Sequence, residues 1–84
     1  RPLNIDYAAV WNRMADAICE DFPPEVAITR IKLFTNYYAR NFHFGHGFYT
    51  AVYNAPTLEA VREKASAFFT KSPATHAKPE LMGL

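Results

Sequence analysis

The residues in this chain best placed to do chemistry are two histidines set three apart among glycines. They are His43 and His46 in Phe42-His43-Phe44-Gly45-His46-Gly47-Phe48-Tyr49. On a helix that spacing puts both imidazoles on one face. Two imidazoles on one face are half of a metal site, but no carboxylate or cysteine stands one turn away to complete the ligand set. No metal is therefore expected. A flat, haem-like cofactor or another small molecule beside His43 and His46 is the alternative reading of this stretch. Each glycine inside a helix costs roughly 1 kcal/mol relative to alanine, so Gly45 and Gly47 need a reason. A kink, a close approach of another helix, or room for a flat ligand would supply one. His76 is too far along the chain to join unless the tail folds back.

Nucleophilic and acid–base chemistry find less support. Ser66 and Ser72 have no histidine in a favourable context, and Glu20 and Asp21 are adjacent and diverge on a helix. Cys19 is the only cysteine, which excludes an internal disulfide and reads as a small buried hydrophobe compatible with a reducing compartment. The expectation is a chain that is not an enzyme. Nine basic and eight acidic residues are interspersed to a net charge of +1, whereas a nucleic-acid binder needs a clustered basic face. No nucleic-acid partner is expected.

The elements that would position these residues are helices. Prolines at 23, 24 and 56 divide the sequence into three periodic segments, and Pro73 and Pro79 mark an extended tail. The fold expected is all-α. It has helices over about 5–22, 24–54 and 57–71, a long central helix with two shorter antiparallel neighbours, and an extended C-terminal tail. A helical domain thus spans 1–71 and the tail 72–84. The first helix puts Tyr7, Val10, Trp11, Met14, Ala15 and Ile18 on one face, with Asn4 or Asp6 as its N-cap. The third is capped by Thr57 and has a narrow stripe of Leu58, Val61, Ala65, Phe68 and Phe69.

The middle segment carries two apolar stripes. One contains Ile31, Phe34, Tyr38, Phe42 and Val52, the other Val26, Leu33, Tyr37, Phe44 and Phe48. One amphipathic stripe needs about 100° of the circumference, and this helix has nearly twice that. Continuous, it is roughly 45 Å long, against about 27 Å and 22 Å for its neighbours. Each half then has one intrachain neighbour, and a stripe is left open. A bend at the glycines that folds the helix on itself is the alternative.

An open apolar strip marks an interface. The residues expected to form it are Leu33, Tyr37, Tyr38, Arg40, Phe44, Phe48 and Tyr49, with Leu81 and Met82 of the tail as a strap. The function expected is a non-catalytic accessory subunit that packs against protein partners in a larger assembly. A homo-oligomeric module also satisfies the pattern. Charged residues interrupt every long apolar run, so no membrane span is expected. A chain that opens at Arg1 fits removal of an organellar presequence as well as a fragment. A mitochondrial or other organellar energy-converting complex is the setting this suggests.

Overall fold

The computed structural model describes residues 5–71. They are all-helical, in four α-helices rather than three: α1 (Tyr7–Asp21), α2 (Pro24–Tyr38), α3 (Gly45–Tyr53) and α4 (Leu58–Thr70). The expected tail, with Leu81 and Met82, lies outside the described residues, as does His76.

Local chemistry sets the ends of these helices. The Asp6 carboxylate accepts the Ala9 N–H at 3.0 Å and closes one of the open donors of α1. Phe22 turns extended ahead of Pro23, and Pro24 occupies the first turn of α2, where its missing N–H costs nothing. Thr57 caps α4 through a 3.0 Å bond from the Ala60 N–H.

The continuous helix expected over 24–54 is not formed. It ends at Tyr38, passes through a single 3-10 turn (Ala39–Asn41), and restarts at Gly45. Two residues explain the break. Asn41 is buried and donates its Nδ2–H to the Tyr38 carbonyl at 2.9 Å, closing an acceptor left open at the end of α2. Phe42 is extended (φ −120°, ψ 143°), which turns its ring into the middle of the core. There it lies 5.1 Å from both Tyr7 and Phe68 and 5.8 Å from Phe69, centroid to centroid. The break lets Phe42 meet α1 and α4 together.

The chain then folds α3 back along α2. Lys32, in the middle of α2, donates its Nζ–H to the carbonyl of Tyr53 at the end of α3 (2.8 Å). That places a cation on the negative end of the shorter helix. Arg62 ties α4 to α1 through Asp16 (2.7 Å) and Asn12 (3.3 Å). The core is aromatic: Trp11, Phe34, Tyr38, Phe42 and Phe48 are buried with Ile31, Val52 and Val61, and Phe68 and Phe69 pack against them. Trp11 donates its Nε1–H to Thr35 Oγ1 at 3.0 Å, and Tyr38 its hydroxyl proton to the Tyr7 carbonyl at 2.7 Å. The straight rod covered on only one flank therefore does not exist. The first stripe, Ile31, Phe34, Tyr38, Phe42 and Val52, is sealed by this same chain, whereas of the second only Phe48 is buried.

Candidate functional site

The apolar surface that remains is concentrated on two sides of α3. On the side of α2, Val26, Leu33 and Tyr37 recur at i, i+7 and i+11, which places them in one narrow line. They are 37%, 57% and 36% exposed. Tyr53 of α3, 58% exposed, lines a shallow depression with Leu33, Tyr49, Thr29 and Lys32. A second depression follows along the same face, where Tyr49 meets Asn36, Arg40 and His46. Cations overlie the rings: the Arg40 guanidinium is 4.9 Å from the centroid of Tyr37, and Lys32 Nζ is 5.7 Å from that of Tyr53. The face thus joins one leucine and three tyrosines to an arginine and a lysine.

On the other side of α3, a groove of about 510 Å³ runs between α3 and α4. Its lining is Phe44, Gly47, Phe48 and Ala51 from the α3 side and Lys64, Ala67, Phe68 and Lys71 from α4, with His43 at one end. Phe48 and Phe68 stack there with centroids 4.3 Å apart and planes within 2°. Phe44 is 90% exposed and has a left-handed backbone (φ 64°, ψ 18°), which a bulky side chain rarely adopts.

Leu33, Tyr37, Arg40 and Tyr49 thus come together on the α2–α3 face, as one interface requires. Phe44 is exposed too, but at the groove on the opposite side of α3. Tyr38 and Phe48 are core residues: at the break their side turns toward α1 and α4 and is covered. Burial pushes the Tyr38 phenol well above its ordinary value, with the neighbouring Tyr7 and Asp6 adding in the same direction. Tyr53, which the periodicity did not single out, is as exposed as Leu33. Its signal was its position four residues after Tyr49.

His43 and His46 are not brought onto one face. Helix α3 begins only at Gly45, so His43 sits in the turn before it and the spacing rule does not apply. His43 lines the α3–α4 groove and His46 the depression toward α2. Among the described residues no three His, Cys, Asp or Glu side chains are grouped to hold a metal ion, and no helix is long and apolar enough to cross a membrane. Cys19 is a partly buried free thiol. Comparison with known protein families, with curated proteins and with solved structures returned no match.

Proposed function

We propose that this chain is a non-catalytic helical module that docks onto a protein partner, as one subunit of a larger assembly, through the α2–α3 face. One observation carries the reading: Leu33, Tyr37 and Tyr53 stay exposed together beside Tyr49 and Arg40, with Val26 in line on α2, on a domain whose other large apolar side chains, Phe44 excepted, are buried or half-buried. Tyrosine and arginine are the side chains that dominate binding energy at protein interfaces, because each joins a large contact area to a polar end. The depressions beside Tyr49 give a partner's side chains somewhere to seat. The face is shallow and built on two helices, which suits a protein surface better than a small substrate.

The test is site-specific photo-cross-linking in the native host, with the reactive group at position 33 and, as control, at position 63 on α4. A discrete adduct with one other protein from position 33, lost in a Tyr37→Asp/Tyr53→Asp variant of unchanged melting temperature, is the expected outcome. No adduct from position 33, or equal labelling from position 63, refutes the reading. An adduct with a second copy of the chain would replace the heterologous partner by self-association.

A further inference from the structure

The groove on the far side of α3 has a different chemistry from the α2–α3 face. We propose that it binds a small amphipathic carboxylate, an acyl chain lying on the aromatic floor with its head group between Lys64 and Lys71. The floor is apolar: half-buried Phe68 lies there, its ring stacked parallel on that of the buried Phe48. The walls are low, because Gly47 and Ala51 on α3 and Ala67 on α4 present little or no side chain. A Cβ added to Gly47 would meet nothing within 4 Å, so this part of the groove is open space.

The charge on the rim is of one sign. Lys64 of α4 and Lys71, the residue that caps its C-terminus, are seven residues apart and both line the groove, and among the described residues no acidic one does. The helical neighbours of Lys64 are Ala60, Val61, Ala67 and Phe68, and those of Lys71 one turn back are Ala67 and Phe68, so no carboxylate on α4 compensates either lysine. Arg62 pairs with Asp16, and among the described residues neither groove lysine takes part in an ion pair. An apolar floor under a cationic edge is complementary to an anion with an apolar body.

Phe44 is the independent observation. A left-handed backbone at a bulky residue is strained, and such strain concentrates where a structure holds a group for use. Here it holds an aromatic ring 90% exposed at the mouth of the groove, where it buries little in the free protein and would cover a chain lying on Phe68. The groove's volume of about 510 Å³ is that of a small-molecule site, within the range of roughly 300–1,000 Å³ common to such pockets. This proposal uses none of the residues of the α2–α3 face and stands or falls separately from it.

The experiment is an amide chemical-shift titration of the full chain with decanoate below its micelle concentration, alongside decyltrimethylammonium, which has the same chain and the opposite charge. Saturable shifts centred on Gly47, Ala51 and Ala67 are expected for decanoate, with the cation binding at least tenfold more weakly. Lys64→Gln/Lys71→Gln should weaken decanoate roughly tenfold, about threefold for each partly exposed contact. Gly47→Leu, which fills the open space, should abolish binding while the protein stays folded. Ala67→Leu fills the same space from α4 should that variant not fold. Equal affinity for the two ligands, shifts mapping elsewhere, or undiminished binding by the filled variants would overturn the proposal. So would groove shifts produced by an acidic amphipathic peptide when decanoate produces none.

Discussion

Gly45 and Gly47 are both helical residues of α3, two positions apart, and replacing each by alanine should move stability in opposite directions. Neither has a positive φ, so backbone conformation favours glycine at neither place. At Gly45, which is buried, a new Cβ would collide with the carbonyl oxygen of Ala39 and stand 2.8 Å from its carbonyl carbon. That carbonyl accepts the Phe42 N–H at 3.2 Å, so it cannot turn aside without undoing the break that seats Phe42. The whole start of α3 must shift instead. Overpacking of this kind costs about 1–3 kcal/mol, from which roughly 0.5–1 kcal/mol of helix propensity is recovered. At Gly47 nothing stands in the way, and only the propensity gain of roughly 0.5–1 kcal/mol remains. The two variants should therefore differ by about 2 kcal/mol, a large part of the roughly 3–5 kcal/mol expected for a domain this small. In thermal unfolding followed by circular dichroism they should separate by about 10 °C, with Gly47→Ala above the wild-type protein and Gly45→Ala below it. If both substitutions stabilise, or if Gly45→Ala unfolds with the wild-type midpoint, the close approach of α3 to the 3-10 turn does not exist as described.

Phe44→Gly should raise stability by about 0.5–1 kcal/mol although it deletes a phenylalanine, because the left-handed backbone is relieved and a ring 90% exposed contributes little packing; urea unfolding checks this, and a loss above 1 kcal/mol would mean that the ring is packed. Thr35→Val leaves the buried Trp11 Nε1–H without its acceptor and should cost about 1–3 kcal/mol, most of it absent in a Trp11→Phe background, which a double-mutant cycle measures. Tyr38 gives an alkaline limit: its phenol ordinarily titrates at 10.0 and is raised in the folded chain, chiefly by burial. Above that pH the unfolded chain releases a proton that the folded one keeps, so stability is intact below about pH 10 and falls beyond it by up to about 1.4 kcal/mol per pH unit. Unfolding midpoints from pH 8 to 11.5 should show that fall, and Tyr38→Phe should flatten it while starting lower for want of the bond to the Tyr7 carbonyl.

Much of the frame was legible in the sequence. The pattern of Trp11, Ala15 and Ile18, the proline pair and the Thr57 cap place α1, the start of α2 and α4 within a residue or two of where they lie. Those signals are local, made by residues that interact within a turn or two. The break after Tyr38 was not legible, because the residues that cause it act across the fold. Asn41, on the seam of the two apolar stripes, looks like a tolerated polar residue until its amide is seen to close the last carbonyl of α2. Phe42 fits a helical stripe as well as it fits the core, and only the aromatic partners on α1 and α4 decide between them. The glycines were a real signal with an incomplete reading: Gly45 marks a close backbone approach, while the turn itself is made by Asn41 and by the strained Phe44.

The same break changes what a partner would be for. A straight central helix would need a companion to cover a stripe along its whole length, and stability alone would then demand an assembly. The bent chain covers Ile31, Phe34, Tyr38, Phe42, Phe48 and Val52 by itself, so folding makes no such demand. What stays exposed is Val26, Leu33, Tyr37 and Tyr53 on one side of α3, and Phe44 on the other. The distinction is measurable, because an obligate partner leaves no stable folded monomer, whereas a docking face on a self-sufficient domain does. The isolated chain should therefore unfold cooperatively at a midpoint independent of its concentration. Leu33→Asp and Tyr53→Asp should each leave stability within about 0.5 kcal/mol of the original, and Tyr53→Asp should weaken the position-33 adduct. A midpoint that climbs with concentration, and falls when either residue is replaced, would return these side chains to the core of an obligate oligomer.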